Sequence, residues 1–307
     1  MLRYIVRRLL TAIPTLFIIV TVAFFLIRVA PGGPFDGERP LEATVRANLD
    51  AAFGLDRSLP EQYLLYLRNL ATGDLGPSFV YRDQTVTELL AAGLPASIQL
   101  GGLALILALL VGITLGSFAA VRQNGFVDYL VTSVATFGVT VPNFVVGPVL
   151  SLVFGVALGI LPAGGYGGGN WRNLVLPVIT LALPQIAVVA RLTRASLIEQ
   201  LRANHVRTAR AYGLPARSVV VRHALRSALL PVVSYIGPAA AALLTGSIVV
   251  ETIFGVPGVG RYFVQGALSR DYTLVMGTVV LIAVFVVLFN LLVDLLYAVL
   301  DPRVRYD

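Results

Sequence analysis

Six long windows without a charged residue are the feature that most restricts what this chain can fold into. An ionised side chain at the centre of a bilayer is costly, whereas a helix of roughly 20 apolar residues crosses about 30 Å of hydrocarbon. Charged residues make up only 13% of the chain, about half the share usual in soluble domains. The sequence therefore predicts an all-α membrane protein with six transmembrane helices, one in each of the windows 9–27, 89–121, 129–171, 173–190, 227–250 and 272–293.

The longest window, residues 129–171, ends in a glycine-rich stretch from Leu161 to Trp171 that is typical of a loop. The rest of the window, residues 129–160, is somewhat longer than one transmembrane helix requires. We therefore predict one helix at about residues 129–160, kinked near Pro142 and Pro148.

The distribution of arginines predicts the orientation of the chain. Arg3, Arg7 and Arg8 precede the first window. The stretch 191–226 contains eight arginines and only one acidic residue, Glu199. Cytoplasmic loops carry such an excess, so both regions are expected inside, separated by four crossings, and the C-terminal tail 301–307 is also expected inside. A signal peptide is the alternative for the first window, but its apolar run exceeds the usual 7–15 residues.

A polar extracytoplasmic segment, residues 30–95, is expected after the first transmembrane helix. Its stretches 41–53 and 61–70 have the spacing of amphipathic helices. The segment is either a solvated lid over the helix ends or a docking surface for an external partner, and the pattern does not choose between them. The chain thus divides into a first helix (1–29), this segment (30–95) and a five-helix core (96–307).

Missing residue types exclude several classes of chemistry. All 23 basic residues are arginines and no cysteine occurs, so a Walker A lysine, a Schiff base and Cys-ligated metals are ruled out. His205 and His223 lie 18 residues apart without nearby acids, which makes a poor metal site. The glycine runs at 164–169 and 255–260 lack the spacing of nucleotide loops and are interpreted as turns. We predict no catalytic residue, no cofactor, no metal and no nucleic-acid partner.

The basic stretch 195–228 predicts two short helices that meet at a corner. Gly213 suits the left-handed residue after a helix, and Pro215 suits the first turn of the next one. A shared apolar face is expected for Leu197, Leu201, Thr208 and Tyr212. Two interpretations remain open at this point: a loop that touches anionic lipid, or an element that inserts into a groove of a partner protein.

This stretch resembles the signature loop of bacterial ABC importer permeases. That loop reads E-A-A-x3-G-x9-I-x-L-P, and the chain matches it at Ala209 and Gly213 but has Arg207, Thr208, His223 and Arg226 at four other motif positions. The peptide branch, which includes oligopeptide, dipeptide and nickel permeases, reads R-T-A-R-A-x-G-L, and residues 207–214 fit it throughout, with the oligopeptide permeases nearest. Further stretches that resemble this branch are residues 1–10, 30–34, 73–78, 251–260 and 301–303.

The resemblance implies the transmembrane domain of a type I ABC importer in the inner (plasma) membrane. Such a subunit pairs with a homologous second permease, two ATP-binding subunits that hold ATP and Mg²⁺, and an extracytoplasmic substrate-binding protein. It implies coupling to the ATP-binding subunits for Arg207, Thr208, Ala209, Arg210, Tyr212, Gly213, Leu214 and Pro215. Glu251 closes the fifth window beside a turn that holds Pro257 and Gly258. The sequence leaves two roles open for it: capping a helix, or forming part of an external loop or gate. A secondary transporter is the alternative class, but the windows hold no central charge.

Overall fold

The computed structural model describes residues 2–29, 32–35, 42–81 and 83–300, with the backbone alone described at 2–9, 244–246 and 294–300. Over these ranges the fold is helical, with a single isolated bridge between Pro77 and Thr85. The predicted tail 301–307 and the start of the stretch 30–34 lie outside the described residues.

The long helices are α1 (Leu2–Val29), α4 (Val86–Val121), α7 (Trp171–Leu201), α11 (Leu230–Phe254) and α13 (Tyr272–Leu300). The shorter helices are α2 (Ala43–Ala52), α3 (Leu59–Ala71), α5 (Phe126–Thr140), α6 (Asn143–Leu150, followed by a π-helix Ser151–Ala157), α8 (Asn204–Ala211), α9 (Ala216–Ser218, followed by a π-helix Val219–Ala224), α10 (Leu225–Ala228) and α12 (Val259–Leu268). By length and composition, four helices (α1, α4, α7 and α13) suffice to cross a membrane. Three bent pairs of helices raise the possible number to seven. Several apolar helices are thus present, while the number six and the orientation stay predictions.

The predicted single helix over 129–160 is wrong at its middle. α5 ends at Thr140, and α6 starts at Asn143 at an angle of 103° to it. Val141 has ψ 119° and Pro142 has ψ 147°, both extended. A residue before proline is pushed out of the helical region, and proline has no N–H to continue the ladder. Pro142 therefore breaks the helix, whereas Pro148 lies within α6.

The centre of the bundle is a close contact between α4 and α7. A Cβ on Gly112 would lie 2.7 Å from Cβ of Val189, and one on Gly116 would overlap the carbonyl of Ala190. Glycines at these positions let the two helix backbones approach, as small residues do in membrane bundles. Leu100 and Leu181 are buried in the same core.

The predicted amphipathic helices of the polar segment are observed as α2 and α3. α4 then begins at Val86, where Thr85 and Glu88 form a capping box. The boundary placed at residue 95 therefore falls inside a continuous helix, because Pro95 lies on α4 without ending it.

Candidate functional site

The basic hairpin, residues 202–228, lies at one end of the bundle beside the turn 122–125. We call this the basic end. Nη2 of Arg202 donates a hydrogen bond of 3.2 Å to Oε1 of Gln123, which joins the hairpin to that turn. α7 continues to Leu201, so the first seven residues of the predicted loop 195–228 belong to this helix.

The corner of the basic hairpin has the backbone that the sequence predicted at Gly213. α8 ends at Ala211, and Gly213 has φ +72° with open space around its α-carbon. Its N–H donates to the carbonyl of Arg210 at 2.9 Å. Pro215 differs from the prediction in one respect: it is extended (ψ 143°) and precedes the first turn, which starts at Ala216.

The prediction of a shared apolar face is wrong for its two members in α8 and the residue after it, Thr208 and Tyr212. Thr208 and Tyr212 are exposed, whereas Val206 and Ala209 are the buried residues of α8. The helix is interrupted at residues 202–203, so the periodicity of α7 does not continue into α8. Ala209, predicted as a coupling residue, therefore packs inside the hairpin.

The basic hairpin is fixed to the bundle by a hydrophobic cluster, which we call the hairpin core. It joins the end of α4 and the end of α7 to both arms of the hairpin, which are α8 on one side of the corner and the π-helix with α10 on the other. His205 adds a polar contact between the arms, because its Nε2 lies 3.1 Å from the carbonyl oxygen of His223. The hairpin is thus a packed projection rather than a loose loop. The buried members of the core are Ala120, Leu197, Val206, Ala209, Val219, Ala224 and Ala228.

The tip of the basic hairpin combines apolar exposure with positive charge. Tyr212 is 82% exposed and Leu214 is 40% exposed. A large aromatic residue and arginines at a projecting tip are typical of a protein-docking surface. Seven of the eight predicted coupling residues lie at this surface: Arg207, Thr208, Arg210, Tyr212, Gly213, Leu214 and Pro215.

The other predicted site residues meet at the opposite end of the bundle. Glu251 is fully buried, and its carboxylate accepts hydrogen bonds from Oγ of Ser97 at 2.6 Å and from the N–H of Gly260 at 2.8 Å. It thereby binds the positive end of α12. Gly258 lies directly over this carboxylate, and a Cβ there would overlap it. Of the two roles that the sequence left open, helix capping and a gate, the geometry supports capping.

The sequence analysis did not identify several contact-forming residues at the two ends of the bundle. Asp271 at the opposite end accepts hydrogen bonds from Ser78 and from the N–H of Phe79 at 3.0 Å, which fixes the polar segment to α13. Asp128 pairs with Arg194 at the basic end. The available signal was position, since Asp128 and Asp271 each border a charge-free window. In the part of the chain that the structure describes, no group of three or more His, Cys, Asp or Glu residues is arranged to hold a metal ion.

Comparison with known proteins gives consistent matches over the whole chain. Residues 112–306 match the family described as binding-protein-dependent transport system inner membrane component, and residues 1–101 match its N-terminal counterpart. Over 306 residues the chain is 49% identical to the oligopeptide transport system permease protein OppB of Haemophilus influenzae and 51% identical to that of Salmonella typhimurium, with 100% of each chain covered. It is 41% identical to the dipeptide transport system permease protein DppB of Bacillus subtilis, covering 99% of this chain and 98% of the relative.

A solved structure shows the same fold. The crystal structure of an amino acid ABC transporter with histidines matches with a TM-score of 0.52 at 19% identity, covering 71% of this chain and 95% of that chain. At this identity the likeness concerns the fold alone. The family match, however, covers more than half of the chain, and the curated relatives cover all of it. The chain therefore belongs to the family of inner membrane components of binding-protein-dependent transport systems.

Proposed function

We propose that this chain is the permease subunit of an ATP-driven importer of oligopeptides. The observation that carries the substrate class is the identity of about 50% over the full length to permeases named for oligopeptide transport. The relative named for dipeptides is more distant at 41%. Dipeptides are therefore the second candidate substrate.

The basic hairpin would dock into the ATP-binding subunits. Its support is geometric: a packed projection with Tyr212 and Leu214 exposed at a positively charged tip. ATP and Mg²⁺ would be bound by those partner subunits, since this chain has neither a lysine nor a phosphate-binding loop. Movement of the hairpin would then reach the bundle through the hairpin core.

The remaining partners would be a homologous second permease and an extracytoplasmic substrate-binding protein. The polar segment and the turn around Glu251 lie together at the end opposite to the basic hairpin. A substrate-binding protein that delivers peptide would meet the complex at that end. The exposed apolar side chains of α5 and α6, such as Phe137 (68%) and Phe144 (62%), would face lipid or the second permease.

The test is uptake of labelled peptides into proteoliposomes. The chain is reconstituted alone, or with its second permease, its ATP-binding subunits and its binding protein. We expect uptake of oligopeptides only with the complete set and only with ATP. Active uptake by the chain alone, driven by an ion gradient, would contradict the proposal, and a strong preference for dipeptides would favour the second candidate.

A further inference from the structure

An ion pair joins α5 to α7 at the basic end. Nη2 of Arg194 donates to Oδ2 of Asp128 at 2.7 Å, and Nε of Arg194 donates to Oδ1. The Asp128 side chain is only 3% exposed, and the Arg194 side chain is 30% exposed. The N–H of Asn124 also donates to Oδ2 at 2.9 Å. A bidentate contact of this kind fixes both distance and orientation between the helices.

α5 also packs against α7 nearer its other end, where a Cβ on Gly138 would lie 3.3 Å from the carbonyl oxygen of Leu183. Only Asp128 and Ala135 are buried among its fifteen residues, and they lie two turns apart on one face of the helix. Large neighbouring side chains are exposed instead, such as Phe126 (80%) and Tyr129 (66%). The ion pair therefore sets the position of the end of α5 that lies nearest the basic hairpin.

The other partner of the pair belongs to the helix that carries the basic hairpin. Arg194 lies three residues, less than one turn, before Leu197, which is fully buried in the hairpin core. A displacement of the hairpin acts on Leu197 and hence on α7. Through the ion pair the same displacement acts on Asp128, at the start of the helix that leads into the 103° break at Pro142.

We propose that Asp128 and Arg194 are positioning residues that transmit movement of the basic hairpin to α5 and to the α5–α6 break. The pair makes the hairpin, the end of α7 and the start of α5 one moving body. Without it, the hairpin still docks and ATP is still hydrolysed, but the start of α5 no longer follows. The inference rests on the proposed function, because it assigns a route by which ATP-driven movement reaches the bundle.

The first experiment measures peptides imported per ATP hydrolysed by the complete transporter in proteoliposomes. Asp128→Asn and Arg194→Gln should lower this ratio at least about fivefold, within the range of coupling between distant sites. Arg194→Lys, which keeps the charge, should recover part of it. Arg191→Gln is the matched control, because Arg191 is exposed on the same helix, and it should leave the ratio unchanged. Variants that assemble and keep the normal ratio overturn the inference.

The second experiment leaves the pair intact and does not depend on the variants folding. Because the chain has no cysteine, spin labels can be placed by Tyr129→Cys on α5 and Arg217→Cys on the hairpin. The distance between them should stay the same when a non-hydrolysable ATP analogue binds to the complete transporter. A clear change in that distance contradicts the inference. Failure of the proposed function is distinguishable, since the unaltered complex would then show no ATP-dependent import at all.

Discussion

Oγ of Ser97 on α4 donates a 2.6 Å hydrogen bond to Oε1 of Glu251 on α11, so a buried carboxylate is shared between two long helices. The same hydroxyl accepts the N–H of Val259, and the other carboxylate oxygen accepts that of Gly260. Ser97 and Glu251 thus bind the start of α12 together. The turn at residues 255–258 is closed by these contacts rather than by its own backbone alone.

Replacing Glu251 should lower the stability of the subunit. Hydrogen bonds to a charged acceptor contribute about 1.5–3 kcal/mol each, and Glu251→Ala leaves two buried donors without their acceptor. We expect the melting temperature of the detergent-solubilised chain, followed by size-exclusion chromatography after heating, to fall by several degrees. Glu199→Ala is the control, because Glu199 is exposed on α7. Equal melting temperatures for the two variants would contradict this account of the turn.

Adding a single methyl group at Gly258 should disturb the same carboxylate. A Cβ at this position would overlap the carboxyl group of Glu251, whereas one at Gly102 on α4 meets nothing within 4 Å. Overpacking of this kind costs about 1–3 kcal/mol. Gly258→Ala should therefore lower the melting temperature, and Gly102→Ala should not. In the double variant Gly258→Ala/Glu251→Ala the two losses should be less than additive, because the overlap is gone; full additivity would show that the two residues do not interact.

Gly213 should tolerate asparagine but not valine. Its φ of +72° lies in the left-handed region, where a β-branched residue is strained by about 1–2 kcal/mol and asparagine is accommodated. Since a Cβ there meets no neighbour, the difference comes from the backbone alone. Gly213→Val should insert into the membrane but uncouple peptide import from ATP hydrolysis. Normal import by this variant would show that the corner is not a coupling element.

Alkaline pH should loosen the contact between α3 and α1. Tyr66 packs against Phe24, its hydroxyl is buried without a hydrogen-bond partner among the described residues, and burial raises its pKa to about 12. The unfolded value is about 10. The stabilising contribution is therefore complete below pH 10 and is lost as the pH rises through 12, when the folded form must ionise.

The matching variant is Tyr66→Phe, which removes the hydroxyl and keeps the ring. We expect it to be neutral or slightly stabilising at pH 8, because an unpaired buried hydroxyl gives no hydrogen bond to lose. Between pH 10 and 12 the unaltered chain should lose melting temperature faster than Tyr66→Phe. A large loss of stability for this variant at pH 8 would mean that the hydroxyl has a partner that the account lacks.

The elements that follow from local chemistry were predicted correctly, and those that depend on tertiary contact were not. Five of the six charge-free windows correspond to long helices, and Gly213 lies at the predicted corner of the hairpin, because bilayer solvation and a left-handed φ act on the residue itself. The break at Pro142 was underestimated, since the angle across a proline depends on what packs beside it. The short helix α12 was missed because its position depends on Ser97 and Glu251, which lie far apart in the chain.

The candidate site shows the same division. The exposure of the hairpin's arginines and the corner at Gly213 could be predicted, because water accommodates a positive charge and glycine accommodates a left-handed φ without any partner in the chain. The choice of Val206 and Ala209 over Thr208 and Tyr212 as buried residues could not be predicted, since it follows from the interruption at residues 202–203. The Asp128–Arg194 ion pair could not be predicted either, because nothing in the local sequence indicates that two charged residues 66 positions apart are in contact.

The central claim is that the basic hairpin docks into the ATP-binding subunits, and site-specific cross-linking tests it most directly. The chain has no cysteine, so Tyr212→Cys places a single thiol at the tip of the hairpin. Leu268→Cys is the control, because Leu268 is 80% exposed and lies in α12 near the opposite end. With a short bifunctional reagent on the complete transporter, we predict that Tyr212→Cys is linked to an ATP-binding subunit and Leu268→Cys is not. Links from Leu268→Cys alone, or none from Tyr212→Cys in an actively importing complex, would contradict the account.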